Sequence, residues 1–357
     1  MQAIVLHGKQ DLRYTTDYPK PKPGPGEVLL RLTYSSICQT DIEMWQHGMF
    51  NWSGKPHIQG HEATGVVVEI GPAVEDDNSN QRRGSKLSKN ILEIGTRVAV
   101  ENVRTCGTCF FCRKGTSQLC ENGRNFGFSD DGGLAEFGVW PASLCIPLPD
   151  NMTNEEAPLA EPTSVAVHAV ENAKVTIGET AAVIGCGVVG LCTLQVLKAA
   201  GLNVIAIDPR EQSLTLAREL GALKTINPND VDPEELLPGF TNGYGPDVII
   251  ETAGAPGTGL DAANWVRRGG RVVIVGFSHQ DTTVNFGRAH MGEKTIMGSS
   301  ATSTGGYHKA VNLIANGSVN VKPLISALVP LERGIEDGFE RMLKPEKDVY
   351  RILVGNG

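Results

Sequence analysis

A chain of 357 residues exceeds what one hydrophobic core comfortably organises, so two domains are expected. A formal charge of −8 argues against nucleic acid as the main partner, because phosphate recognition needs basic patches. No apolar run reaches bilayer length, and the opening MQAIVLHGKQDLRY lacks the basic and apolar stretches of a secretion signal, so no membrane partner and a cytoplasmic setting with reduced thiols are expected.

The first part of the chain reads as β-rich and loop-rich. PKPKPGPGE is an extended turn segment, and EVLLRLTYSSIC (27–38) and ATGVVVEIG (63–71) are short β-branched runs bounded by Pro or Gly. The stretch 75–94, EDDNSNQRRGSKLSKNILEI, has little apolar periodicity. It reads as a solvated loop rather than an anion site built on Arg82, Arg83 and Lys86. Next come four cysteines spaced C-x2-C-x2-C-x7-C: Cys106, Cys109, Cys112 and Cys120. In a reducing compartment such spacing points to a metal before a disulfide. Four thiolates close the shell of a tetrahedral zinc ion, so the site would brace a loop rather than do chemistry. An iron–sulfur cluster also takes four cysteines, but the trailing Cys-Pro of a ferredoxin run is missing.

The texture changes near Thr180. AAVIG (181–185), NVIAID (203–208), DVIIETAG (247–254) and RVVIVGF (271–277) are buried-type strands, and VVGLCTLQVLKAAG and REQSLTLARELGA are helical patterns between them. Alternation at this spacing predicts an α/β fold, a doubly wound parallel sheet with helices on both faces. VIGCGVVG supplies G-x-G-x-x-G at Gly185, Gly187 and Gly190, after a strand and opening a helix that begins with Val188 and Val189. That is the context of a pyrophosphate-binding turn. Asp208 ends the next strand, where an acid binds ribose hydroxyls and repels a 2′-phosphate, so NAD is favoured over NADP. Arg210 nearby is the residue able to welcome the extra phosphate. Asp208-Pro209-Arg210-Glu211 also reads as a capping box with Pro at the first helical position. Past residue 290 the character is mixed, ending in the strand-like VYRILVG.

Cys38 in CQTD, His61 and Glu62 in GHEATG, and Glu161 in APLAEPTSVAVHA each have a bland reading alone: a small buried hydrophobe, a turn residue, a helix cap. Together they carry a resemblance. GHEATGVVVEIGPAV matches the zinc-containing alcohol dehydrogenase signature G-H-E-x2-G-x5-G-x2-V at every fixed position, and Cys38 with Thr40 and Asp41 resembles that family's C-x-T/S-D segment. The chain is therefore identified as similar to zinc-dependent medium-chain dehydrogenases/reductases. EPTSVAVHA resembles the polyol-type EPLSVGxHA, where Glu161 stands in place of the Cys of ethanol-type enzymes. The resemblance implies a GroES-like catalytic domain over 1–153, with a structural zinc lobe near 104–122 and completed by 292–357, around a Rossmann domain at 154–291.

It further implies a catalytic zinc between Cys38, His61 and a carboxylate, Glu161 or Glu62 exchanging the place with water. Two anionic ligands and one neutral one leave the ion formally uncharged. Thr40 would take the alcohol proton. The family's relay often ends at a His five residues after the Cys; here that position is Glu43. Asp41 would orient the ligating His. His47, His57, Trp45, Phe50 and Trp52 are nearby candidates for substrate contact, with packing or surface roles as the plainer reading. Cys145, Cys186, Cys192 and His168 read as packing residues. The implied activity is oxidation of a secondary alcohol or polyol by NAD, in a homodimer or homotetramer. An aldose 1-dehydrogenase is the alternative, and a non-catalytic nucleotide-binding relative a remoter one.

Overall fold

The computed structural model of the chain describes residues 1–49, 54–72, 92–344 and 349–355. Phe50, Trp52 and nearly all of the 75–94 loop, with Arg82, Arg83 and Lys86, lie outside the described residues. Two compact units emerge: Met1–Glu161 with Leu324–Gly357, and Pro162–Pro323. These divisions fall later than 153/154 and 291/292. The second displacement has a clear cause: Thr295–Gly298 pairs in parallel with Arg271–Ile274, so the α/β unit gains a strand beyond residue 291.

In the first unit the Glu27–Ser36 strand is central. It pairs antiparallel with Glu62–Ile70, Phe137–Pro141 and Arg351–Gly355. The last of these pairs in parallel with Ile325–Val329, so the chain's end is woven into a sheet begun near its start. Alternation in the central strand is interrupted by a nearly continuous buried run, iBBBeBBBBB, because both faces are covered. Trp140 lies against Phe126 with ring centroids 5.0 Å apart, and Trp45 meets Phe339 edge-on at 5.7 Å. Trp45 is thus a core residue.

The second unit holds a six-stranded parallel sheet. Numbered within the unit, its order is 3-2-1-4-5-6: Lys224–Ile226, Asn203–Ile207, Thr180–Ile184, Val248–Glu251, Arg271–Ile274, Thr295–Gly298. That is the doubly wound dinucleotide-binding order, whose switch point lies between Thr180–Ile184 and Val248–Glu251. The Val188–Ala199 helix is buried almost all round, as its largely apolar sequence, VVGLCTLQVLKA, requires. Glu211–Glu219 buries only Ser213, Leu214, Leu216 and Ala217, the single stripe of an amphipathic surface helix.

Candidate active site

Strand register assembles the first cluster. Ser36 pairs with Glu62 across the sheet, and with Leu353 on the other side. The chain then leaves the central strand, and Cys38 caps the helix Gln39–His47. Asp41, in that helix's first turn, accepts the Cys38 backbone N–H at 2.8 Å through Oδ2, while Oδ1 lies 3.2 Å from His61 Nδ1. One carboxylate therefore fixes both the cysteine and the imidazole. With Nδ1–H given to Asp41, Nε2 keeps its lone pair and faces Glu62 Oε1 at 3.9 Å. Burial works against charge on His61, but Asp41 and then Cys38 outweigh it and hold its pKa well above the usual value. This is a position built to face a cation. Gly60 makes the approach possible: it sits at φ +94°, and a Cβ there would lie 2.6 Å from Ser35 Oγ and 2.7 Å from Leu134 Cγ.

Ligand atoms of Cys38, His61 and Glu62 all fall within 4.8 Å of one another. Glu161 is not in that compact set. It begins the helix Ala160–Asn172, buried, and its pKa is pushed up to about 7 by burial and by the Glu62 charge. So of the two candidate carboxylates, geometry groups Glu62 with Cys38 and His61, because Glu62 directly follows His61 and opens the paired strand. Thr40 Oγ1 stands 3.6 Å from Cys38 Sγ. Glu43, one helical turn further, meets Gln39 Nε2 at 3.1 Å and His47 Nε2 at 3.8 Å. His47 is exposed and His57 buried.

Arg351 was not anticipated. From the final strand its guanidinium donates Nε–H to Glu62 Oε2 at 3.0 Å and Nη2–H to Glu62 Oε1 at 2.8 Å, and Nη2 also lies 3.4 Å from Cys38 Sγ. Both partners are buried, and Ser36 Oγ donates a further short bond to Glu62. The available signal was one cation inside the apolar run YRILV, at a position that the sheet must bury.

The four-cysteine lobe forms a second cluster, with all Sγ atoms within 4.8 Å of one another. Sulfur separations in the set include 3.5 Å for Cys106–Cys120, 3.9 Å for Cys109–Cys120 and 4.0 Å for Cys106–Cys112. A tetrahedron with zinc–sulfur bonds of about 2.3 Å has edges of about 3.8 Å, so the donor set fits that ion. Backbone N–H groups of Thr108 and Cys109 aimed at Cys106 pull its pKa down to about 5. Around it, Phe110 and Leu119 are exposed, leaving the lobe little apolar core of its own.

Comparison with known proteins decides the family. The model of the alcohol dehydrogenase GroES-like domain matches residues 24–150, and that of the zinc-binding dehydrogenase matches 188–316. The chain is 35% identical over 351 residues to sorbitol dehydrogenase of Homo sapiens, covering 96% of this chain and 92% of the relative. The chain belongs to the zinc-dependent medium-chain dehydrogenases/reductases. It is also 34% identical over 364 residues to the probable D-xylulose reductase A of Aspergillus fumigatus, covering 99% and 96%. A solved dehydrogenase chain from Sinorhizobium meliloti 1021, bound to NADP, matches with a TM-score of 0.89 and 28% identity over 99% of this chain and 98% of that one.

In this dehydrogenase the glycine turn has the form a dinucleotide needs. Gly185 sits at φ +90°, and a Cβ at Gly190 would collide with the Gly185 carbonyl and approach Thr252 Oγ1 to 2.7 Å. Gly187 has nothing within 4 Å of where a Cβ would be, so that side is open. No side chain caps the Val188–Ala199 helix, leaving its first N–H groups, from Val188 on, for an anion. Asp208 is buried, and its carboxylate is in use: Oδ2 accepts the Cys186 N–H at 2.7 Å, Oδ1 the Arg210 N–H at 2.8 Å, and the Arg210 guanidinium lies across both oxygens at 3.1 and 3.2 Å. The expected capping box does not form. The helix starts at Glu211, after Pro209, because Asp208 turns back to the glycine loop.

Proposed function

We propose that this dehydrogenase oxidises a secondary alcohol of a polyol to a ketone with NAD, using one catalytic and one structural zinc per chain. The observation that carries the reading is the Cys38–His61–Glu62 set, oriented by Asp41 and flanked by Thr40, in a relative of sorbitol dehydrogenase. Zinc bound there supplies Lewis acidity that lowers the alcohol's pKa, and NAD serves as the hydride acceptor.

The oxidation removes one hydride and one proton from the carbinol, and this chain's residues divide the remaining work. Asp41 orients His61 through Nδ1, so that Nε2 would be the atom to hold the metal. Thr40 takes the hydroxyl proton beside Cys38. Glu43 follows three residues later on the same helix face and, with exposed His47, leads that proton to solvent. Arg351 pairs with Glu62 and also lies beside Cys38 Sγ, so that one guanidinium braces both side chains. Glu161, its pKa pushed up to about 7 by burial and the Glu62 charge, is the second carboxylate that would be able to hold the metal in place of Glu62 or water.

Asp208 supports NAD over NADP, with the Arg210 guanidinium available for a 2′-phosphate. A homodimer or homotetramer assembled through the second unit is supported by the edge strand Thr295–Gly298 and by exposed Phe286, Met291 and Ile296. Eight cysteines without a disulfide suit the cytosol, and no helix among the described residues is long and apolar enough to cross a membrane.

The test is a panel of polyols, simple secondary alcohols and aldoses with NAD and with NADP, on zinc-loaded and chelator-stripped protein. Polyol turnover that disappears with the chelator supports the reading. Turnover of aldoses alone replaces it with the sugar dehydrogenase, and a single zinc per chain unaffected by Cys38→Ala replaces it with a non-catalytic relative.

A further inference from the structure

The peptide linking Gly185 to Cys186 is held at both ends by side chains that follow the two strands flanking Thr180–Ile184. Its N–H donates to Asp208 Oδ2 at 2.7 Å, from the end of Asn203–Ile207. Its carbonyl accepts from Thr252 Oγ1 at 2.8 Å, just past the end of Val248–Glu251. A peptide is planar, so pinning both polar groups fixes its rotation about the chain. That rotation fixes ψ of Gly185, which itself sits at φ +90°, and aims the residues that follow, Gly187 and the helix start.

Thr252 is itself well anchored. Its backbone N–H donates to the Ile184 carbonyl at 2.8 Å, and its hydroxyl also lies 3.0 Å from that oxygen. The residue before it, Glu251, is 1% exposed. Glu251 Oε1 accepts the N–H groups of Ala253 at 2.9 Å and Gly254 at 2.8 Å, and the Thr258 hydroxyl stands 2.8 Å away. The loop carrying Thr252 forward is thereby tied to the strand end. All of this flanks the switch point of the sheet, where doubly wound folds bind their ligand.

We propose that Thr252 is a positioning residue for dinucleotide binding: its hydroxyl and the Asp208 carboxylate clamp the 185–186 peptide in the orientation that presents the glycine turn to a pyrophosphate, with Glu251 steadying Thr252. This rests on the dinucleotide reading of the turn and adds to it a contributor that lies outside the G-x-G-x-x-G motif.

The experiment titrates NADH and NADPH fluorescence against wild type, Thr252→Val, Thr252→Ala and Thr252→Ser, with amide hydrogen exchange at Cys186 in the ligand-free chain. Valine keeps the shape and removes the hydroxyl, so the Kd of the preferred dinucleotide should rise about tenfold, equivalent to about 1.4 kcal/mol. Serine should restore it to within about threefold, a loss of well under 1 kcal/mol. Exchange at Cys186 should quicken in the valine and alanine variants alone, and kcat at saturating dinucleotide should change little. Valine and alanine variants that bind as tightly as wild type overturn the clamp, as does a serine variant no better than valine. A wild type that binds neither dinucleotide removes the underlying reading and the clamp with it.

Discussion

Replacing Arg351 by Met removes a buried cation while keeping an unbranched side chain of similar reach. Glu62 then loses both guanidinium bonds, at 3.0 and 2.8 Å, and keeps the Ser36 hydroxyl. Charge-assisted hydrogen bonds contribute about 1.5–3 kcal/mol each, and removing one partner of a buried ion pair costs about 3–5 kcal/mol. The contact to Cys38 at 3.4 Å is longer and adds little. We therefore expect Arg351→Met to lose about 4 kcal/mol in the chelator-stripped chain. Urea unfolding followed by tryptophan fluorescence reads this, since Trp45 and Trp140 are buried in the first unit. The double variant Arg351→Met/Glu62→Gln removes the stranded charge along with its partner, and should recover more than half of the loss. A single variant costing under about 1 kcal/mol, or a double variant as costly as the single, refutes the reasoning.

Three other outcomes are expected. On the two-zinc proposal, Cys109→Ser should release one zinc ion per chain and lower Tm by at least about 3 °C, the equivalent of about 2 kcal/mol in a chain this long; metal analysis with calorimetry checks both. Asp208→Ala should shift the NADP-to-NAD ratio of kcat/KM toward NADP by at least about tenfold, and Arg210→Ala should move it the other way; steady-state kinetics with each dinucleotide decide. Burial pushes the Glu101 carboxyl up from 4.5 to about 7, so the folded chain holds a proton that the unfolded chain has lost. Its contribution is full below about pH 4.5 and is lost as pH climbs to about 7. Glu101→Gln should accordingly raise Tm at about pH 8 and leave it unchanged at about pH 4, and an equal gain at both refutes the assignment.

Much of this was legible from residue order alone, where chemistry is local. The glycine turn, the four clustered cysteines and the parallel strands each declare themselves within a short window, and the structure has a compact turn, a four-sulfur set and a parallel sheet there. The resemblance joined Cys38, His61 and the carboxylates across long separations. What it did not distinguish was Glu62 from Glu161, because that depends on the register Ser36–Glu62 and on where the Ala160–Asn172 helix begins. Arg351 escaped for the same reason: a lone arginine in a strand has no partner until the sheet is closed. The Asp208–Pro209–Arg210 segment misled in a different way, since its capping signature was overridden by a long-range bond to Cys186.

The strand that carries Arg351 is the last in sequence among the described residues, yet it lies directly beside Glu27–Ser36. On the ribosome the opening sheet must wait for Arg351–Gly355 to be made before its centre can close. Pairings so distant along the chain make assembly slow. The same arrangement acts as a check: a chain interrupted before Arg351–Gly355 lacks the counter-charge for Glu62 and leaves that edge of the Glu27–Ser36 strand unpaired.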